Sequence, residues 1–500
     1  MEPGVSHPRQ WRHLIGAIAL IATAACGDHG GITAPRTDPA GPPEIIREAR
    51  GVWIATVANI DWPSRNDLSA DAQRAELRDL LDRATSNGFN MVVFHVRPAG
   101  DAVYESSIEP WAAMLTGAQG VGPGYDPLAF AVAEAHARGL ELHAWINPFR
   151  AGNTRDTLKY ASTHQFVVRR DLLRIYGSQV WFDPGEPAVQ DHAIRVARDI
   201  VQRYDVDAIH ADDYFYPYQE NDANGKTIDF PDSATYARSG STLARADWRR
   251  ANVDRFVERL YGEVHQLKPA VKVGLSPFGI WRPGSPTGVT GLDAYATIYA
   301  DSRKWLNSGW VDYFAPQLYW SIAAAGQSFP ALLDWWIGEN TMRRHLWPGL
   351  AAYRVSDGTA SAFGVNEIAN QVALARQRPG STGHLLYNAT ATLKRSPTPV
   401  AASLAPLYAG RALVPASAWL GGAAPASPTI AVNDRTLHIT PAAGGAVRWW
   451  FVRAQGVLGW TSRVYFGSTS DIQYGAVPER VLVNAVDAAG NVSGATEWRR

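Results

Sequence analysis

Residues 206–218 read VDAIHADDYFYPY, and their reading decides the fold. A short apolar run carries His210 and Asp212 at alternate positions, then breaks into a second carboxylate, Asp213, four aromatic residues and Pro217. This is the pattern of a buried parallel strand that ends at a site. Side chains alternate along a strand, so His210, Asp212 and Tyr214 share one side, and the proline ends the pairing. Where the strand stops the backbone can turn, which lets Asp212 and Asp213 reach one cavity. Two carboxylates held together among aromatic rings raise each other's pKa, and one is then available as a general acid. An adjacent Asp pair in a loop more commonly caps a segment or joins an ion pair, so the rest of the chain has to decide between these roles.

Outward from this stretch, apolar strand-like runs alternate with amphipathic helical ones, which argues for a parallel α/β architecture. GVWIATVANI (51–60) leads into Asp61, Trp62 and Pro63. A helix is predicted over 71–88, with Leu77, Leu80 and Leu81 at helical spacing and Gly88 as its stop. The second strand, NMVVFHVRPAGDAVY, sets Val93, His95 and Arg97 on one face. An arginine at a strand end suits a substrate hydroxyl or carboxylate, and equally an ion pair beneath the loop. After the helical DPLAFAVAEAHARGL comes the third strand, ELHAWINPFR, with His143, Trp145 and Asn147 on a shared face. WFDPGEPAVQDHAIRVARDIVQRY then reads as an approach loop and a helix before the central strand, and residues 219–246 as a lid or a disordered loop.

VKVGLSPFGIW is the fifth strand and WVDYFAPQLYW the sixth, whose end gathers Gln317, Tyr319 and Trp320: an amide, a phenol and a stacking ring. HLWPGLAAYR and GHLLYNA are the seventh and eighth, ending near Tyr353 and Asn388. Eight strands with polar and aromatic residues at their carboxyl ends predict a (β/α)8 TIM barrel over residues 44–410, with its site on that face. From 425 to 500 the helical period is lost, and short strands separated by Gly, Pro, Asn and Asp turns predict a small all-β sandwich. Its AVDAAGNVS segment is similar to fibronectin type III modules, and a spacer or docking wall is its expected role.

Lys+Arg and Asp+Glu both number 47, so no net charge draws the chain to nucleic acid or to an anionic membrane surface. Nineteen Trp and nineteen Tyr are mostly core material. Those near strand ends, Trp62, Trp145, Tyr216, Trp281 and Trp320, are candidates for stacking on sugar rings. Cys26 is the single cysteine, which excludes an internal disulfide or a thiolate metal site. Arg9 and Arg12 precede an apolar run, and Thr23, Ala24 and Ala25 lead into Cys26 and Gly27. Residues 1–26 therefore resemble a bacterial lipoprotein signal, with Thr23 in the usual place of leucine, and 27–43 read as a flexible tether. The expectation is an exported protein facing the cell envelope, held to a membrane by lipid on Cys26.

With the strands laid out, REARGVWIATVANIDWP, FNMVVFHVRPAGDAVYES, LELHAWINPFRA, IHADDYFYPY and VDYFAPQLYW together resemble the bacterial glycosyl-hydrolase-like 10 family over residues 43–410. The resemblance implies a TIM-barrel glycoside hydrolase, lipid-anchored or secreted, of which at least one branch cleaves peptidoglycan strands stripped of their stem peptides. No cofactor is expected.

A two-carboxylate glycosidase needs an acid and, at a set distance, a nucleophile or base. Neither the fifth nor the sixth strand ends in a carboxylate, and the others near strand ends are Asp61, Asp101 and Glu105. Adjacent acids suit a scheme in which the substrate's N-acetyl oxygen attacks the anomeric carbon, one acid orienting the acetamide and the other protonating the leaving group. Asp212 and Asp213 are the expected pair. Tyr319 would hold the acetamide, while Arg97, His143, Asn147, His210, Tyr214, Gln317 and Asn388 would contact the sugar. Competing readings are Asp212 as a nucleophile with a loop acid, a glycan-binding scaffold without turnover, and a glycosidase acting on another polysaccharide. A metal-dependent amidohydrolase with His95, His143 and His210 as ligands is disfavoured, because the first strand lacks an HxH pair.

Overall fold

Eight parallel strands form the centre of the molecule: β1 (Ala49–Ile54), β2 (Met91–Arg97), β3 (Glu141–Ile146), β4 (Ala208–Ala211), β5 (Lys272–Leu275), β6 (Tyr313–Phe314), β7 (His345–Leu346 and Gly349–Ala351) and β8 (Gly383–Tyr387). The computed structural model describes residues 41–395 and 398–500. The expected signal, Cys26 and the tether up to residue 40 lie outside the described residues. β1 pairs with β2 and β8, and the remaining ladders run in chain order, all parallel. The two pieces of β7 lie at opposite ends of the ladder order, His345–Leu346 on β6 and Gly349–Ala351 on β8. Pro348, which has no N–H to donate, stands between them. The two ends of the sheet are thus halves of one strand, and the ring closes into a TIM-barrel-like core.

The strands are buried along their whole length, as in β1 and β2, except for Tyr387 at the end of β8, and this is why they read as continuous apolar runs. Helices cover the outside, with local starts that the sequence dictates. The Ser69 hydroxyl accepts from the Ala72 N–H at 3.2 Å to begin Ala70–Ser86, which buries Leu77, Leu80 and Leu81. Each such leucine contributes about 1.5–3 kcal/mol when fully buried. Asp126 caps Pro127–Ala137 by accepting from the Leu128 and Ala129 N–H groups at 3.0 Å, with Pro127 in the first turn.

The barrel interior is polar at its lower end. The Tyr313 hydroxyl lies 2.9 Å from Nδ1 of both His143 and His210. His143 Nε2 is 3.0 Å from Glu141, and Lys272 Nζ donates to the same carboxylate at 3.1 Å. Gly274 makes room for this network: a Cβ there would stand 1.9 Å from the Tyr313 ring.

Two segments differ from expectation. Following β3, strands Arg150–Gly152, Leu173–Tyr176 and Gln179–Phe182 form an antiparallel sheet with the last strand in the middle. Trp181 and Phe182, read from sequence as an approach loop, belong to it. Residues 219–246, expected as a lid or as disorder, contain helix Ser233–Ser239 and are pinned by a buried ion pair between Arg249 and Asp232 at 2.6 Å.

Beyond the barrel, sheets of three strands (Thr429–Asn433, Thr436–Thr440, Asp471–Gln473) and four strands (Trp449–Gly456, Gly459–Phe466, Arg480–Val486, Thr496–Arg499) are both antiparallel. They enclose a core that includes Leu437, Ile439, Trp450, Val452, Ile472 and Val483. The module packs under the barrel. Arg448 donates to Asp207 and Asp205, just ahead of β4, each at 2.6 Å. Ile46–Arg47, at the entrance to the barrel, pairs in parallel with Ala412–Leu413 at its exit.

Candidate active site

β4 delivers two adjacent acids to the carboxyl end of the barrel. The Asp213 N–H donates to Asp212 Oδ1 at 2.9 Å, so the turn after the strand folds the first side chain over the second residue's backbone. Gln317, on the connection after β6, donates from Nε2 to the same oxygen at 3.0 Å and to the Ser276 carbonyl at 3.0 Å. This ties β4, β5 and β6 together at one point. The Tyr218 hydroxyl donates to Asp213 Oδ2. Burial pushes the Asp212 carboxyl well above the usual carboxylate range, and the charge of Asp213 adds to the effect. Burial also raises Asp213, against the hydrogen bonds from Asp212 and Tyr218. The two acids interact strongly enough to titrate as a pair, and that pair retains a proton above the pH at which a solvated Asp would lose it.

Aromatic rings enclose the pair. Tyr319 stacks on Tyr387, with centroids 6.2 Å apart and planes 25° apart, and meets Tyr353 edge-on at 6.0 Å. Tyr319 lies two residues beyond Gln317, which bonds Asp212, and burial raises its hydroxyl pKa, with Tyr387 and Asp212 adding to it. Tyr214 stands edge-on to Trp181 at 5.7 Å. Asn147 Nδ2 donates to the Pro98 carbonyl at 3.2 Å and reaches the Tyr214 hydroxyl at 3.5 Å. Asp212, Asp213, Asn147, Tyr214, Gln317 and Tyr319 are thus brought together.

Three other expected contacts, those of Arg97, His143 and His210, are corrected. Arg97 is fully buried: its guanidinium grips Glu109 at 2.5 and 2.8 Å and the Asn147 carbonyl, leaving nothing for a sugar. His192 is a second partner of Glu109, at 2.7 Å. Burial alone would raise the Glu109 pKa, but Arg97 and His192 override it and hold the carboxyl below its usual range. His143 and His210 lie in the interior network, committed to Tyr313, Glu141 and Ser276. The Asn388 Oδ1 accepts from the Ala391 N–H at 3.2 Å, closing the turn that follows β8, and its Nδ2 is left as the group for the expected contact. Arg97→Leu is accordingly expected to lower stability by about 3–5 kcal/mol by stranding a buried carboxylate, with KM for glycan unchanged. Guanidinium titration beside substrate kinetics checks this, and a raised KM at full stability would return Arg97 to the site.

The other candidate acids serve as braces. Asp61 accepts from the Ala55 and Thr390 N–H groups, each at 2.8 Å, joining the loops after β1 and β8. Asp101, pushed up to about 7 by burial, accepts from Ala99 and Gln119. Trp62, Trp145 and Tyr216 are buried and act as packing rather than as stacking platforms. Of the three histidines considered as metal ligands, His95 is stacked at 3.7 Å on Trp145. Among the described residues, no group of three or more His, Cys, Asp or Glu is arranged to hold a metal ion.

Three contributors escaped the sequence reading: Arg150, Tyr218 and Tyr387. Arg150 sits three residues beyond Asn147 on the inserted sheet, its guanidinium carbon 4.9 Å from the Tyr214 ring centre and 5.9 Å from that of Trp181. The available signal was a charged residue just past a barrel strand's polar end, the same signal that marks Asp212 and Asp213.

The family profile and the curated relatives agree on one class. The glycosyl hydrolase-like 10 family profile matches residues 48–363. Glycosyl hydrolase YngK of Bacillus subtilis is 40% identical over 395 residues, spanning 77% of this chain and 76% of the relative. Glycosyl hydrolase DigH of Escherichia coli K12 is 36% identical over 385 residues, spanning 70% of this chain and 86% of the relative. Among solved structures, the PgaB (BpsB) glycoside hydrolase domain of Bordetella bronchiseptica overlays with a TM-score of 0.48 at 13% identity, covering 74% of this chain and 99% of that domain.

Proposed function

This chain belongs to the glycosyl hydrolase-like 10 family and is a glycoside hydrolase, and from that premise we propose that it cleaves bacterial cell-wall glycan, specifically peptidoglycan strands freed of stem peptides. The observation that carries the reading is the Asp212–Asp213 pair, Asp213 buried and Asp212 half-buried, with raised pKa values, at the mouth of a barrel lined by Tyr214, Tyr319 and Tyr387. Adjacent acids at the end of one strand, with no carboxylate at the ends of β5 and β6, suit anchimeric chemistry. In this scheme the acetamide oxygen of the sugar attacks its own anomeric carbon as the glycosidic C–O bond breaks. One acid gives its proton to the leaving oxygen, and the other steadies the acetamide N–H as positive charge develops. Water then opens the cyclic intermediate, returning a proton to the first acid. Gln317 and Tyr218 orient the two carboxyls, Tyr319 faces the sugar, and the buried Asn147 amide, which accepts from Trp145 Nε1 at 3.0 Å and reaches Tyr214, holds that ring in place. Cys26 is proposed to carry the lipid that holds the exported protein at the envelope, and the C-terminal sandwich, read as fibronectin type III-like, to serve as a docking wall.

The test is product analysis. Residues 45–500 are incubated with intact sacculi and with amidase-stripped strands. Release of muro-sugars from stripped strands only is the expected outcome. No release from either, with the protein still pelleting with the strands, would make it a glycan-binding scaffold.

A further inference from the structure

Arg50, Arg97 and Arg249, the most deeply buried arginines, each pair with a carboxylate. Arg150 does not. It stands opposite Trp181 in the inserted antiparallel sheet, so a paired strand carries it rather than a free loop. Its guanidinium lies against the faces of Tyr214 and Trp181, flat surfaces that hold the group without neutralising it. Among the described residues its side chain makes no hydrogen bond or ion pair, and its buried Nε has no acceptor. The Tyr214 ring it covers, 4.9 Å away, lies two residues beyond Asp212 at the end of β4, and its charge works against the burial that raises the Asp212 carboxyl.

A planar, pre-oriented, unpaired cation beside a sugar-cleaving pair is a receptor for an anion that arrives with the substrate. We propose that Arg150 binds a carboxylate carried by the glycan next to the scissile bond, which makes it the residue that selects acidic strands. The proposal rests on the wall-glycan reading above. The acidic sugar of that polymer bears a lactyl group whose carboxylate is free in a bare strand and becomes a neutral amide once a stem peptide is attached. Two equivalent carboxylate oxygens match the two-pronged guanidinium, whereas an amide offers neither the charge nor the second oxygen. The same cation offsets the repulsion that a substrate carboxylate would meet on nearing Asp212 and Asp213.

The experiment compares kcat and KM for the wild type, Arg150→Ala and Arg150→Lys. The substrates are bare strands and the same strands with their carboxyls converted to neutral methylamides. The wild type is expected to favour bare strands by about 10- to 100-fold, the range of a charge-assisted hydrogen bond. In Arg150→Ala that preference collapses towards unity, mainly through KM, while Arg150→Lys keeps part of it. Equal losses on both substrates, or a wild type indifferent to the modification, would overturn the proposal and leave the hydrolase reading standing. Cleavage of neither strand by the wild type would instead overturn the hydrolase reading, and the proposal with it. Thermal midpoints of both variants separate a folding defect from either result.

Discussion

Asp212→Asn is expected to lower kcat/KM on bare glycan strands by about 10²- to 10⁴-fold, the usual contribution of a positioned acid or base, and at the same time to raise the thermal midpoint at pH 8. The two effects share one cause. Burial and the charge of Asp213 lift the folded-state pKa of Asp212 well above 3.8. A carboxyl raised in this way favours the folded state fully only below its unfolded pKa, and that contribution is lost as pH rises through the folded value. At pH 8 the wild type therefore carries a penalty that asparagine removes, while at pH 3, where the carboxyl is protonated in both states, the variant gains nothing. Asp213→Asn should follow the same pattern, since its carboxyl is raised too. The wild-type kcat/KM should be bell-shaped in pH, falling on the alkaline side as the pair loses its last proton and on the acid side as it gains a second. Paired calorimetry and kinetics at the two pH values decide the matter. A variant that keeps its activity, or is less stable at pH 8, would show that the pair is a structural cap.

Arg448→Ala is expected to lower stability by about 3–5 kcal/mol, the cost of stranding a buried charge. Arg448 Nε and Nη2 donate to Asp207 Oδ1 at 2.9 and 2.6 Å, while Oδ2 accepts from the Leu142 N–H at 2.8 Å and faces His136 Nε2 at 3.0 Å. Burial would raise this carboxyl, but Arg448 and His136 more than cancel that and hold it well below its usual range. Stability from a depressed carboxyl is present above the unfolded pKa and lost as pH falls. The gap between wild type and variant should therefore be widest near neutrality and close in acid. Asp207 immediately precedes β4, so the C-terminal module fixes the foot of the strand whose head bears the acids. Urea titrations across pH measure the effect, and a variant as stable as wild type would make the module a detachable appendage.

The sequence carried the barrel well because its strands are buried on both faces, and runs such as MVVFHV have no other fate in a chain of this length. The β7 interruption at Pro348 was within reach for the same reason, since a proline cannot continue a ladder. Depth was the missing coordinate. Alternation along β3 and β4 put His143 and His210 on the inward face, but whether an inward side chain reaches the mouth depends on its height in the barrel, which periodicity does not encode. The interior network around Tyr313 claimed both. Arg97 was ambiguous because its partner, Glu109, lies on a connection whose path no local pattern announces. The antiparallel insertion hid for a related reason: its strands are three or four residues long, and pairing across some thirty residues is not a local signal. Arg150 was hidden with it.

The two-residue ribbon at the base has a mechanical meaning. Ile46–Arg47 and Ala412–Leu413 run side by side in parallel, reinforced by the Glu48 N–H on the Leu413 carbonyl and by Arg47 Nη1 on the Val414 carbonyl, each at 3.0 Å. Tension applied between the segment ahead of Ile46 and the module beyond Val414 loads this ribbon in shear, so that all its bonds must yield together. The load passes from one terminal segment to the other across the clasp, and the barrel, with its acids, hangs outside the line of force.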